Sequence, residues 1–286
     1  MQVGFIGTGL MGEPMAHRLM AAEMPLTVYN RTLDKTQALQ QAGAAIAPSP
    51  TALIASVDCI VLMLADAPAI EQVLLSDPSA LSGKTVLQMG TIAPQESQAI
   101  AEQVQQAGGS YLEAPVLGSI PQAKDGSLIV MVGSSPELFQ TYAPLLQHLG
   151  PDPIYVGEVG TAAALKLAMN QLIGSLTAAF ALSLGLVQRY GVEVDTFMEV
   201  VRQSALYAPT FDKKLDRMVS RTFDQPNFPT RHLLKDMTLA IAAAEAVGQD
   251  PAALQGVQQI LHRAMAQNLA DLDYSALFQV INPPQT

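Results

Sequence analysis

Apolar residues come in short unbroken runs through the first half of the chain and in a helical rhythm through the second. The runs "QVGFI" (2–6), "LTVYN" (26–30), "CIVLML" (59–64), "TVLQM" (85–89), "SYLEAPV" (110–116) and "LIVMVG" (128–133) are too short for helices and read as buried strands. Amphipathic stretches such as "EPMAHRLMAAE" and "LDKTQALQQAG" lie between them. Strands alternating with helices predict a parallel sheet with right-handed crossovers. This pattern fades after "PIYVG", near residue 157. From Gly160 onward the spacing is helical, with no convincing strand. Residues 161–190 predict one helix of roughly 45 Å, too apolar to stand alone in water.

The expected fold is therefore α/β: a doubly wound N-terminal domain over 1–160, a long interdomain helix over 161–190, and an all-α C-terminal domain over 191–286. The apolar run is long enough to raise a membrane span. Lys166, Asn170 and Gln171 in its first half argue against one.

The first run breaks into "GTGLMG", which places Gly7, Gly9 and Gly12 in G-x-G-x-x-G spacing between a strand and a helix. Gly7 permits the tight turn, Gly9 lets backbone approach a pyrophosphate, and Gly12 allows close helix–strand packing. A glycine-rich turn without ligand is the bland alternative; the strand–turn–helix context favours a Rossmann-type dinucleotide cradle. The second strand ends in Asn30, Arg31 and Thr32, with Lys35 one turn on. A carboxylate for a ribose 2′-hydroxyl is missing there, and Arg31 can pair with a 2′-phosphate and stack on adenine. This predicts NADPH/NADP+ over NADH, against the alternative of an arginine merely exposed at a strand end.

Composition narrows the partners. Of 286 residues 49% are hydrophobic and 14% charged, and the net charge is −10, which excludes disorder and disfavours a nucleic-acid surface. The most basic stretch, Lys213, Lys214, Arg217 and Arg221, alternates with Asp212 and Asp216 and reads as a solvated helix face. The single cysteine, Cys59, sits in an apolar run and reads as a small buried hydrophobe. One cysteine and no signal-like N-terminus fit a reducing, cytoplasmic setting. His17, His148, His232 and His262 are dispersed, so no metal site is expected.

Lys166 is the one charge between Gly160 and Val187, with Asn170 at i+4. A lysine there can donate a proton to a carbonyl oxygen, and burial would lower its pKa toward neutrality. Spacing alone equally allows a lysine that snorkels to solvent, with Asn170 as a helix-packing polar residue.

Four segments, in order, resemble the β-hydroxyacid dehydrogenase family: "FIGTGLMGEPMAHRL", "EAPVLGSIPQAKDGSL" (113–128), "GTAAALKLAMNQL" and "FPTRHLLKDMTLA" (228–240). Within it they look most similar to glyoxylate/succinic semialdehyde reductases, with Glu113 and Ser119 on the reductase side. The resemblance implies that Lys166 and Asn170 are catalytic. It implies cofactor contacts at Gly7, Thr8, Gly9, Leu10, Met11, Gly12, Asn30, Arg31, Thr32, Lys35, Met63, Leu64, Ala65, Thr91 and Lys235. It implies substrate contacts at Leu117, Gly118, Ser119, Lys166, Asn170, Phe228 and Asp236. Thr91 also reads as an N-cap for a helix over 94–107.

Leu117 stands where the family usually has a serine, removing a hydroxyl expected at the substrate carboxylate; Gly118 N–H and Ser119 are the candidates to compensate. Gln171 and Ala65 are milder departures. The implied activity is NADPH-dependent reduction of small carboxylate-bearing aldehydes to hydroxyacids. A 3-hydroxyisobutyrate or tartronate-semialdehyde-type dehydrogenase and a non-catalytic NADPH-binding module are the alternatives. The long apolar helix adds an expected homodimer or homotetramer, with neither nucleic acid nor membrane as partner.

Overall fold

The computed structural model describes residues 1–284. Their backbone divides into two compact units, Met1–Lys166 and the chain from Leu167 onward.

In the first unit the apolar runs become strands β1 (Val3–Ile6), β2 (Leu26–Tyr29), β3 (Ala45–Ile46), β4 (Cys59–Leu62), β5 (Thr85–Gln88), β6 (Ser110–Glu113), β7 (Val116–Leu117), β8 (Ile129–Gly133) and β9 (Ile154–Gly157). They form one sheet in the order β3-β2-β1-β4-β5-β6-β8-β7, with β9 also on β8. Strands β3 to β6 along that order are all parallel. The expected wholly parallel sheet ends there, because β8 runs antiparallel to both β6 and β7. Pro115 explains the break in "SYLEAPV": it has no N–H for a ladder, so the run splits in two and β7 pairs with β8.

Between the strands lie α1 (Gly12–Ala21), α2 (Gln37–Gln41), α3 (Pro50–Ser56), α4 (Ala67–Leu74), α5 (Pro94–Gln106), α6 (Ile120–Asp125) and α7 (Pro136–Leu146). Several starts are written locally. Ser49, Asp66 and Ser135 accept from the N–H groups of Ala52, Ala69 and Leu138, each with a proline in the first two helical positions. Alternation along the strands sends Phe5, Val28, Val61 and Leu112 to one face with Leu19 of α1 and Leu146 of α7. Ile6, Ile60 and Leu62 go to the other with Leu53 of α3, Ile70 of α4 and Ile100 of α5. Helices thus cover both faces, the doubly wound arrangement; each large apolar side chain so buried contributes about 1.5–3 kcal/mol. Cys59 is in this core, and burial pushes its thiol pKa up, leaving a protonated, unreactive sulfur.

Helix α8 (Thr161–Arg189) starts in the first unit and continues in the second, which adds α9 (Val194–Gln203), α10 (Pro209–Ser220), α11 (Thr230–Ala246), α12 (Ala252–Ala266) and α13 (Leu277–Ile281). Leu184, Met198, Phe211, Met218, Leu233, Met237, Leu261 and Phe278 form its core. Gly174 of α8 makes room for α11: a Cβ there would lie 2.8 Å from the Met237 sulfur. Helix α8 is long and apolar enough to cross a membrane, but 44% of its most apolar window is already buried in the protein.

The basic stretch is not a solvated face. Lys214 is buried, with Nζ 2.9 Å from both carboxylate oxygens of the buried Asp273 and 4.3 Å from the Tyr274 ring centroid. Arg217 donates to the carbonyls of Asp224 and Gln225, and Arg221 to that of Asn282. These cations cap and tie loops in their own unit, contacts that charge alternation along α10 does not encode.

Candidate active site

The glycine-rich turn follows β1 and opens α1, beside the loop after β4. Neighbouring strands β1 and β4 are the point where the strand order reverses, and ligands bind at the carboxyl ends of strands there. Gly7 has φ +101°, and a Cβ on it would strike the Met63 carbonyl. A Cβ on Gly12 would overlap the Gly7 carbonyl oxygen. Gly9 is different in kind: a Cβ on it would meet no heavy atom within 4 Å. Its missing side chain opens space above the turn, where α1 begins without a side-chain cap. An uncapped helix start beside an open glycine fits a dinucleotide pyrophosphate.

Asn30 ties this turn to the next segment. Its Oδ1 accepts from Thr8 N at 3.2 Å, its Nδ2 donates to the Thr32 carbonyl at 2.9 Å, and Thr8 Oγ1 donates to the Lys35 carbonyl at 2.8 Å. The polar groups of Thr8 and Asn30 therefore brace backbone, while the side chains of Arg31, Thr32 and Lys35 are exposed. Asp34, the carboxylate in that segment, accepts from Gln37 Nε2 at 3.3 Å. Leu10 is exposed, and Met11 and Met63 are half-buried against the core beneath the turn. Leu64 is half-buried and Ala65 exposed in the loop after β4, and the Leu64 carbonyl lies 2.5 Å from where Gly90 would carry a Cβ. Thr91 is half-buried just past Gly90. The cap of α5 is Ala93, whose N–H donates to Glu96 Oε2 at 2.7 Å, so the N-cap reading of Thr91 is corrected.

Lys166 is only 8% exposed, and its Nζ donates to the Val116 carbonyl at 2.7 Å. A buried ammonium is costly unless hydrogen-bonded, so this contact fixes where the charge can sit. It lies at the head of the segment Leu117, Gly118 and Ser119. Leu117 is half-buried and paired with Ile129, and Gly118 is exposed with φ +140°. Ser119 Oγ donates to Gln122 Oε1 at 2.8 Å, which commits its proton to a capping box on α6.

In the second unit Asn170 Nδ2 donates to Asp236 Oδ2 at 2.6 Å, with the two residues 3% and 2% exposed. Asn170 Oδ1 and Asp236 Oδ1 are buried without a hydrogen-bond partner, although Lys235 Nζ forms an ion pair with Asp236 Oδ1 at 3.1 Å. Phe228 stands edge-on to Tyr274, with ring centroids 5.8 Å apart. Burial raises the Tyr274 pKa to about 12, with opposing hydrogen bonds from Thr210 and Thr177. Among the described residues no cluster of three His, Cys, Asp or Glu could hold a metal ion.

Residues 2–157 match the family model for the NAD-binding domain of 6-phosphogluconate dehydrogenase, and residues 160–281 match that for NAD-binding of NADP-dependent 3-hydroxyisobutyrate dehydrogenase. The chain belongs to the β-hydroxyacid dehydrogenase family. This β-hydroxyacid dehydrogenase is an NAD(P)-dependent oxidoreductase. It is 35% identical to the chloroplastic glyoxylate/succinic semialdehyde reductase 2 of Arabidopsis thaliana, over 98% of this chain and 79% of the relative. It is 32% identical to glyoxylate/succinic semialdehyde reductase 1 of the same plant, over 98% of each. Its fold matches the solved 3-hydroxyisobutyrate dehydrogenase of Mycobacterium tuberculosis with TM-score 0.89, at 21% identity and 98% coverage of both chains.

One residue of this β-hydroxyacid dehydrogenase escaped sequence reasoning except as a family marker. Glu113 is completely buried, and its Oε1 accepts the N–H groups of Gly160, Ala162 and Ala163 at 2.8, 2.9 and 3.1 Å, at the start of the helix that carries Lys166. Burial pushes its pKa up against the opposing hydrogen bonds from Ser97 and those three amides. A weak signal was available: "EVGT" puts Gly160 at the cap position of α8, with no side chain to do the capping.

Proposed function

We propose that this enzyme reduces small carboxylate-bearing aldehydes, glyoxylate and succinic semialdehyde first, to the corresponding hydroxyacids with NADPH. The observation that carries the reading is the buried Lys166 ammonium held 2.7 Å from the Val116 carbonyl, beside the 117–119 segment. The two plant reductases support the substrate class.

Reducing an aldehyde requires hydride at carbon and a proton at oxygen. Bound NADPH supplies the hydride. The turn at Gly7–Gly12 would hold its pyrophosphate, with the open side of Gly9 admitting the approach. Arg31, Thr32 and Lys35 would hold its 2′-phosphate, and Met63, Leu64, Ala65 and Thr91 would contribute further contacts. Lys166 Nζ carries the proton and releases it to the substrate oxygen as that oxygen gains charge, becoming a neutral amine that solvent reprotonates. The Val116 carbonyl accepts from the ammonium and so orients it. Asn170 Oδ1, buried without a hydrogen-bond partner, offers an acceptor to the hydroxyl that forms as the aldehyde is reduced. Leu117 presents an alkyl surface beside Gly118 N–H, which favours a carboxylate bound by backbone.

The match of the second half to the NADP-dependent 3-hydroxyisobutyrate dehydrogenase model favours one rival substrate, methylmalonate semialdehyde. The test is NADPH oxidation with glyoxylate, succinic semialdehyde, methylmalonate semialdehyde and tartronate semialdehyde. A kcat/KM highest for either of the first two supports the proposal; one highest for a branched or hydroxylated aldehyde refutes it. We further infer that the exposed Leu172, Leu182 and Leu186 of α8 are covered in a homo-oligomer, a dimer or tetramer. Sedimentation as a stable monomer would remove that inference.

A further inference from the structure

Glu113 ends strand β6, while the amides it accepts belong to Gly160, Ala162 and Ala163, about fifty residues later in the chain. We propose that Glu113 is the positioning residue for Lys166, a buried carboxylate that seats the first turn of α8 on the end of β6 and so fixes where the lysine ammonium stands. The proposal rests on the reading of Lys166 as proton donor.

Several features make Glu113 more than an incidental cap. A helix start leaves its first amides unpaired, and a local serine or aspartate usually satisfies them. Here the cap position is Gly160, with φ +101° and no side chain. A local cap would bind the helix only to itself. A carboxylate reaching from the sheet satisfies the same amides and also locates the helix against β6, and its charge suits the positive end of the helix.

The surroundings are shaped for that carboxylate. Gly133, its partner across the β6–β8 pairing, has no room for a Cβ because the Glu113 carboxyl fills the space. Ser97 of α5 donates to the second oxygen, Oε2, at 2.5 Å, and its Oγ is 2.9 Å from Tyr111 Oη. Both carboxylate oxygens are therefore used, and each partner approaches as a donor.

The link to chemistry is geometric. Three residues beyond Glu113 the Val116 carbonyl accepts from Lys166 Nζ, and Lys166 lies three residues beyond Ala163. Strand end and helix start are thus tied twice, once by carboxylate to backbone amides and once by ammonium to a backbone carbonyl. Releasing the first tie lets the helix start shift, and a misplacement of about 1 Å at a reacting group costs on the order of 10²-fold in rate.

The test compares Glu113→Ala, Glu113→Gln and Glu113→Asp by steady-state NADPH oxidation, with Lys166→Met as control. For Glu113→Ala, kcat should fall about 30- to 100-fold while the KM for NADPH changes less than about 2-fold. Glu113→Gln should recover kcat to within about 3-fold, because its amide oxygen accepts the same three N–H groups and its NH₂ donates to Ser97, which can turn its proton toward Tyr111. Peptide-level hydrogen exchange should be faster over 158–166 in Glu113→Ala and unchanged in Glu113→Gln.

A folded Glu113→Ala with wild-type kcat, unchanged exchange at the start of α8, or a Gln variant as impaired as Ala would each overturn the proposal. If Glu113→Ala does not fold, Glu113→Asp decides: one methylene too short to span Ser97 and Gly160, it should lose about 5- to 10-fold in kcat, and wild-type turnover overturns the idea. Full turnover in Lys166→Met would refute the proton-donor reading itself, whereas an inactive Lys166→Met beside a fully active Glu113→Ala would refute only the role of Glu113.

Discussion

Replacing Lys166 by methionine should move turnover and stability in different directions. The two side chains are alike in length and volume, so the change removes the charge with little disturbance of packing. Lys166 is 8% exposed and donates to the Val116 carbonyl at 2.7 Å. Losing a hydrogen bond to a charged group costs about 1.5–3 kcal/mol. Relieving the desolvation of a buried ammonium returns several kcal/mol. Weighed against the Val116 bond alone, the net is a stabilisation of about 0–3 kcal/mol, or a melting temperature unchanged to raised by up to about 10 °C. Turnover should fall by about 10²–10⁴-fold, the usual contribution of a positioned acid. Thermal unfolding by circular dichroism and NADPH oxidation with the best aldehyde of the panel read both quantities on one preparation. A Lys166→Met protein with kcat within about 3-fold of wild type would refute the proton-donor argument. One that melts far below wild type would refute the claim that the ammonium is kept at a cost to stability.

Three more outcomes are expected. Arg31→Ala should raise the KM for NADPH about 10- to 100-fold, the worth of a charged hydrogen bond of about 1.5–3 kcal/mol, and leave that for NADH nearly unchanged; equal effects on both would remove the 2′-phosphate contact. Gly9→Val should fold normally, because a Cβ there meets nothing, yet weaken NADPH binding at least about 10-fold in a fluorescence titration, whereas Gly12→Ala should lose about 1–3 kcal/mol in denaturant unfolding from overlap with the Gly7 carbonyl. Burial raises the Glu113 pKa above its ordinary 4.5, so the stability it contributes is full below that value and is lost as pH rises through the raised pKa. Glu113→Gln, which cannot ionise, should therefore show a flatter melting profile above the ordinary carboxylate range and gain on wild type as pH rises; a profile parallel to wild type would contradict this.

Features carried by local patterns were legible in the chain. The G-x-G-x-x-G turn, the apolar strand runs and the length of α8 follow from steric freedom at glycine and from periodicity, which neighbouring residues set among themselves. The proline-led helix starts after Ser49, Asp66 and Ser135 belong to the same class. What the sequence left open lies at long separation. Glu113 reaches amides of residues 160–163, Asn170 meets Asp236, and Lys214 meets Asp273 in burial. The charge pattern of α10 suggested a wet surface for Lys214, because alternation records which residues are adjacent and not which segment covers them. Thr91 looked like a cap because hydroxyls often are, but a Glu96 reaching back to Ala93 N–H took the position. By itself the sequence determined the longer strand runs, the helical second half and where a dinucleotide can approach, since those depend on φ freedom and on apolar spacing within a few residues; the two-residue strand β3 and the split of 110–116 into β6 and β7 it did not. Only the tertiary structure decided which buried charges stand opposite which groups, because a desolvated carboxylate or ammonium is tolerated only where it finds a partner, and for Glu113, Lys166 and Lys214 the folded chain brings one from about fifty to sixty residues away.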